Sequence, residues 1–317
     1  MGEMAATKKK MKSSAASAVD LGHLGTEQQN RLSANFDTKS ALEIAQIINS
    51  EDAKVAAAVK RALPAVAKAI EAIAHALNNG GRLIYVGAGT SGRIAAIDAS
   101  ECPATFNADP HSVQYVMAGG PRALASAAEF NEDSRELGAA DIAKRRPTRN
   151  DVIVGIAASG RTPYTISAVE YAKSRGAVTV GIACNKDSEL GRVADIEIAV
   201  EVGPEVVSGS TRMKAGTAQK LICNMLTTGA FTRLGYVYGN LMVNVHLKNK
   251  KLVERGISIL MKATGVDRSA AEKALKLSNN HVPVALVSLK TGISMADAQQ
   301  RLDAVQGNVR RAIEEMD

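Results

Sequence analysis

The sequence predicts an α/β protein with a parallel five-stranded sheet and a small all-helical C-terminal domain. Three observations carry that prediction. Short apolar runs of strand length alternate with helical stretches up to about residue 200; two of those runs, DVIVGIAA and VTVGIAC, are apolar almost throughout; and strand signal fades after Ser210. Parallel strands have both faces covered by crossover helices, which is why they lack the alternation of a half-solvated strand. A length of 317 residues accommodates one large domain and an appendage.

The elements follow in order. Residues 1–20 hold Lys8, Lys9, Lys10 and Lys12 against Glu3 and Asp20, which is +2 of the net +7. They read as a disordered, solvated basic extension rather than a nucleic-acid arm, because aromatics are 3% of the chain and tryptophan is absent. Over residues 51–77, Val55, Val59, Leu63, Val66, Ile70, Ile73 and Leu77 recur every three or four positions, the stripe of a long amphipathic helix that Pro64 is expected to kink or divide. Gly80-Gly81 stops it and 82–86 forms the first strand. Further strands are expected near 113–117, 151–157, 178–184 and 196–200, separated by helical stretches such as 121–137 and 162–175. From Thr211 onward the expectation is helix alone, with Gly265, Gly292 and Gly307 punctuating short C-terminal segments. The domains expected are 1–20 as extension, 21–245 as catalytic domain with N-terminal helices, and 246–317 as helical module.

Composition excludes several classes. No run of about 18 apolar residues occurs, and no apolar stretch follows the basic N-terminus, so neither membrane spanning nor secretion is expected. Cys102, Cys184 and Cys223 are far apart and form no C-x-x-C pair, which points to a reduced, cytoplasmic protein without zinc or disulfides.

Chemistry is sought where the strands end, since ligands of such sheets bind outside the strands' carboxyl ends. Gly87, Gly89 and Gly92 satisfy G-x-G-x-x-G, but the second strand ends in Met117-Ala-Gly-Gly120 without the acid that would hold a dinucleotide's ribose. Without Gly-Lys-Ser/Thr, phosphoryl transfer from ATP is not indicated either. What the loop does offer is Thr90 and Ser91 at a helix start, suited to a phosphomonoester. Ser159-Gly160-Arg161-Thr162-Pro163 repeats the arrangement after the third strand, and Ser208-Gly-Ser-Thr-Arg-Met-Lys214 adds Ser210, Thr211 and Lys214. Any one cluster reads equally as helix capping; three in succession favour a shared anionic ligand. No metal is implied, since His23, His75, His111, His246 and His281 are scattered and none forms a metal-like pair.

VGAGTSGR, DASECPATF, AASGRTPY, IACN and GSTRMKAGTAQK together resemble the N-acetylmuramic acid 6-phosphate etherases of the sugar isomerase (SIS) superfamily. The likeness runs from Thr26-Glu27 to the C-terminal helices. It implies a flavodoxin-like sheet, a homodimer with sites near the subunit interface, no cofactor, and a small sugar phosphate as ligand. It implies cleavage of the lactyl ether to N-acetylglucosamine 6-phosphate and D-lactate in the recycling of cell-wall amino sugars. Ala104 and Asn107 stand where the family commonly has proline and glycine.

The chemistry can be argued from the bond itself. A C3 alkoxide leaves badly and water attacks saturated carbon slowly, whereas an open-chain aldehyde at C1 acidifies the C2 proton and permits elimination. One base and one acid with separated pKa values suffice. The family's motif positions fall on Glu101, expected to protonate the departing lactate and later activate water, and Glu132, expected to take the C2 proton. A competent Glu101 acid calls for an apolar setting near Cys102, Pro103 and Phe106. The substrate contacts expected are Gly89, Thr90, Ser91, Gly92, Ser159, Gly160, Arg161, Thr162, Ser210, Thr211 and Lys214. Competing readings are an aldose-ketose isomerase, which needs one carboxylate and releases no lactate, and a sugar-phosphate sensor resembling glucokinase regulatory proteins. His246, near a helix start, is a further candidate for a neighbouring subunit's site.

Overall fold

The computed structural model describes residues 25–126 and 131–314, so the extension expected at 1–20 lies outside the described residues. Helix α1 (Ala41–Asp52) opens with a capping box, in which Ser40 and Glu43 satisfy each other's backbone N–H groups. Helix α2 (Val55–Asn78) begins after a break at Ala53-Lys54. It runs unbroken through Pro64, so of the kink or division expected there the division does not occur. Pro64 faces solvent, so water can serve the carbonyl it leaves unpaired, while Val59, Ala62, Val66, Ala69 and Ile73 stay buried on the other face. Each large side chain on that stripe contributes roughly 1.5–3 kcal/mol by leaving water.

The strands are β1 (Leu83–Gly87), β2 (Val113–Met117), β3 (Val152–Ile156), β4 (Val178–Ala183) and β5 (Ile196–Ala199). They pair in parallel in the order β2-β1-β3-β4-β5. This flavodoxin-like order reverses direction between β1 and β3, the switch point where the connections diverge and leave a crevice. Burial on both faces explains the apolar runs. Leu83, Tyr85, Val154, Ile156, Val180 and Ile182 pack toward α2, α3 (Gly89–Phe106) and α7 (Lys214–Arg233). Ile84, Val86, Val116 and Ile153 pack the other way, onto α4 (Arg135–Ala143) and α5 (Pro163–Ser174). A short α6 (Glu189–Val193) joins β4 to β5. Within the stretch expected to be helical over 121–137, the described residues form a 3-10 turn at Gly120–Leu124 and the start of α4 at Arg135, behind its cap Ser134.

A second correction falls after α7, where a two-stranded antiparallel hairpin interrupts the expected all-helical region. It pairs β6 (Val237–Tyr238) with β7 (Leu241–Met242) across Gly239-Asn240, Gly239 at φ +62. Gly-Asn between apolar pairs is a hairpin signal, too short here to rise above the helical surroundings. Beyond it lie α8 (Lys250–Thr264), α9 (Arg268–Leu277), α10 (Val282–Thr291), α11 (Met295–Ala304) and α12 (Val309–Glu314). Gly265 and Gly292 end α8 and α10 in the left-handed conformation, and Asn249, Asp267 and Ser294 cap the starts of α8, α9 and α11. These helices share a hydrophobic cluster of their own, which includes Val243, Leu260, Leu286, Leu302 and Ala312.

Among the described residues no helix is long and apolar enough to cross a membrane. All three cysteines are buried and unbridged. Burial pushes the Cys102 and Cys184 thiols up to about 12 and the Cys223 thiol well above its ordinary range.

Candidate active site

A cavity of about 360 Å³ opens at the switch point, with Ala88 after β1 and Ala158 after β3 in its wall. That is within the range of small-ligand pockets. The first loop is shaped by backbone contact: a Cβ on Gly92 would meet the Gly87 carbonyl oxygen at 2.9 Å and Met117 Cγ at 2.7 Å, so only glycine lets α3 start this close to β1. Gly89, Thr90 and Ser91 are thereby set on the cavity wall at the helix N-terminus. Ser91 Oγ donates to Gln219 Oε1 at 3.1 Å from α7. Gln219 is itself buried, and its Nε2 has no partner among the described residues.

The second loop is built alike. Gly160, at φ +71, lies against Ser188, and its carbonyl accepts from Leu190 N. Ser159 Oγ accepts from Arg161 N at 3.2 Å, and Thr162 precedes Pro163, the first residue of α5. Ser159 and Thr162 line the cavity opposite Thr90 and Ser91's loop, so two helix N-termini and four hydroxyls bound one space. Glu132 lines it too, half-buried, with its backbone carbonyl accepting from Tyr164 N at 3.0 Å.

The third cluster divides. Gly209 and Thr211 line the cavity, whereas Ser210 does not. Lys214 is turned inward: its Nζ lies 2.5 Å from Glu51 Oε2 of α1 and both side chains are buried. The N-terminus of α7 is already occupied, because the buried Glu205 carboxylate accepts from Lys214 N at 3.0 Å and Ala215 N at 2.9 Å. Burial opposes charge on both acids, with opposite outcomes. Glu205 stays above its ordinary range; at Glu51, bonds from Lys214, Lys54 and Asn30 prevail and hold the carboxyl at about 2.

Gly92, Gly160 and Arg161 are absent from the wall although their neighbours form it. Glu101 is farther off. It sits twelve residues beyond Gly89 on α3, about 18 Å along the axis, and is exposed. In one chain its exposure does not give the apolar setting expected of it, and it is absent from the cavity that Glu132 lines. Its neighbour Asp98 is the buried carboxyl of that helix, held by Tyr85, Asn224 and Thr227, with burial raising its pKa. Asn107 ends α3 at φ +51, a conformation that asparagine tolerates next best to glycine, and its Oδ1 lies 3.1 Å from His246 Nδ1. His246 therefore belongs to the Glu101 end of α3.

Two charged residues of the wall had no assigned role. Arg93 ends the VGAGTSGR motif and donates to the Leu124 and Ser126 carbonyls, fixing the turn that roofs the cavity. Glu27 comes from the strap before α1, and only its place at the start of the resemblance marked it.

Two family models match the chain: the glucokinase regulatory protein N-terminal SIS domain over residues 65–173 and the SIS domain over residues 137–229. The chain is 48% identical over 296 residues to a Klebsiella aerogenes protein named N-acetylmuramic acid 6-phosphate etherase, covering 93% of this chain and 99% of that one. Proteins of the same name from Clostridium beijerinckii and Vibrio vulnificus are 47% and 50% identical, covering 95% and 93% of this chain and 99% and 98% of theirs. Among solved structures, a phosphoheptose isomerase from Francisella tularensis is similar with a TM-score of 0.48 and 22% identity, over 61% of this chain and 100% of that one.

Proposed function

The chain belongs to the N-acetylmuramic acid 6-phosphate etherases, and on that premise we propose how its cavity carries out the cleavage of that sugar phosphate's ether. The observation that carries the proposal is the Glu132 carboxylate sharing a cavity with the hydroxyls of Thr90, Ser91, Ser159, Thr162 and Thr211. Two helix N-termini and these hydroxyls hold the 6-phosphate and sugar hydroxyls, Gly89 admits the ligand to the backbone, and Gly92 and Gly160 act through the close packing that shapes the loops. Lys214 acts by anchoring α7 to α1 through Glu51.

In the open-chain sugar the C1 aldehyde withdraws electrons from C2. Glu132 takes the C2 proton, the electron pair forms the C2–C3 double bond, and the C3–O bond breaks as Glu101 protonates the departing D-lactate. Water then adds at C3, activated by Glu101, and C2 is reprotonated, which gives N-acetylglucosamine 6-phosphate. Base and acid suffice because the aldehyde itself is the electron sink, so no cofactor enters the reaction. Glu101 acts from the partner subunit of a homodimer, a reading supported by its exposure and its distance along α3 from its own chain's cavity. The enzyme works in the cytoplasm, on amino sugar recovered from cell wall.

D-lactate release from N-acetylmuramic acid 6-phosphate tests this. Glu132→Gln and Glu101→Gln should each lower the rate about 10²- to 10⁴-fold with unchanged melting temperature. Undiminished release from either variant removes that residue from the mechanism. Tight binding of the substrate without lactate from the wild type would return the sensor reading.

A further inference from the structure

The cavity has two chemically different walls, and the mechanism uses only part of one of them. Helix N-termini and hydroxyls at Thr90, Ser91, Ser159 and Thr162 favour an anion, whereas Glu27 brings a carboxylate that no proton transfer above requires. A carboxylate facing a phosphate cradle opposes the phosphate, so its presence needs a compensating contact with another part of the ligand.

The backbone around Glu27 is tied down by residues of two separate loops. Asn185, just beyond β4, accepts from Gly25 N at 3.0 Å and donates to Thr26 Oγ1 and to the Ser159 carbonyl. From the other side Ser208 Oγ donates to the Glu27 and Gln28 carbonyls, and Asn30 Nδ2 donates to the Pro204 carbonyl at 3.0 Å. Thr26 is buried beneath this strap. The carboxylate is seated over Gly209, where a Cβ would come within 3.4 Å of Glu27 Oε2. These tethers fix the strap's backbone, and from it the Glu27 side chain reaches the cavity wall beside Gly209.

We propose that Glu27 is a specificity-determining residue: its carboxylate accepts a hydrogen bond from an N–H or O–H of the sugar, and so directs the phosphate to the hydroxyl wall and the sugar to the strap. The inference rests on the etherase reading of the cavity. It adds the ligand's orientation and a preference for sugar phosphates over phosphate itself.

Calorimetric binding to wild type, Glu27→Ala, Glu27→Gln and Ser208→Ala, with three probes, tests it. Glu27→Ala should weaken N-acetylglucosamine 6-phosphate about tenfold to a hundredfold and raise KM likewise, with Glu27→Gln intermediate. Inorganic phosphate should bind Glu27→Ala at least as well as wild type, because a like charge has been removed. Glucose 6-phosphate separates the donors: if it loses as much affinity as the N-acetyl sugar a hydroxyl is the partner, and if it loses none the amide N–H is. Parallel loss of phosphate and sugar-phosphate affinity, reproduced by Ser208→Ala, would mean that Glu27 only holds the strap, and would overturn the proposal. So would a fall in kcat at unchanged KM, which would make Glu27 a proton donor. Absence of lactate from the wild type defeats the etherase reading, while the binding measurements still judge Glu27.

Discussion

Gly160 is bound on every side. Its φ is +71, and a Cβ would fall 2.3 Å from Ser188 Cβ and 3.0 Å from Ala183 Cβ. Gly160→Ala combines left-handed strain with overpacking and should cost roughly 2–4 kcal/mol, read from the urea midpoint. Phosphate affinity should fall with it, since Ser159 and Thr162 ride on the same turn; an unchanged midpoint would mean that α6 yields freely. Gly89, by contrast, has open space where its Cβ would be, although it too adopts a positive φ. The sequence marks both as loop glycines with equal force. It cannot rank them, because the difference lies in Ser188 and Ala183, which reach Gly160 only through folding. Glu27 was obscure for the same reason: its meaning comes from Asn185 and Ser208, distant in sequence.

Strands and long helices were legible because burial writes itself as periodicity. The five strands and their parallel pairing followed from apolar runs too continuous for a half-solvated sheet. Ion pairs across the fold leave no such trace. Lys214 reads as a cation beside three hydroxyls, yet its charge is spent on Glu51, 163 positions away, locking α1 to the start of α7. Glu51 is held at about 2 against an ordinary 4.5, so its contribution is fully present above pH 4.5 and is lost as the pH falls toward 2. Glu205 and Asp98, shifted upward by burial, act in the opposite sense: protonation at low pH relieves them. A Glu51→Leu/Lys214→Met variant should therefore lose less melting temperature than wild type between pH 5 and 3, whatever its stability at pH 7. Superimposable acid profiles would refute the pair's role. Lys214→Met alone should cost about 1.5–3 kcal/mol, read from the urea midpoint, since it removes one charged bond to Glu51 and leaves the carboxylate to Lys54 and Asn30.

For the molecule as a whole, α3 is the element on which the proposed two-chain site depends. Its first turn shapes the cavity of its own chain, and its far half carries Glu101 outward beside the exposed Ile97. If each site combines Glu132 of one chain with Glu101 of the other, inactive Glu101→Ala and Glu132→Ala homodimers, unfolded and refolded together, should regain about a quarter of wild-type lactate release. Each mixed dimer then holds one complete site. No recovery despite proven subunit exchange would place both carboxylates in the same chain's site. The family resemblance names both glutamates, but it says nothing of which chain delivers each. The buried cysteines have a different consequence. Cys102 and Cys223 lie in the main hydrophobic cluster between sheet and helices, and Cys184 lies at the end of β4, each with its proton held tightly. An alkylating reagent meets a thiolate only when that region parts from its neighbours. The chain thus carries three internal clocks, whose rates of labelling time the openings of the native state.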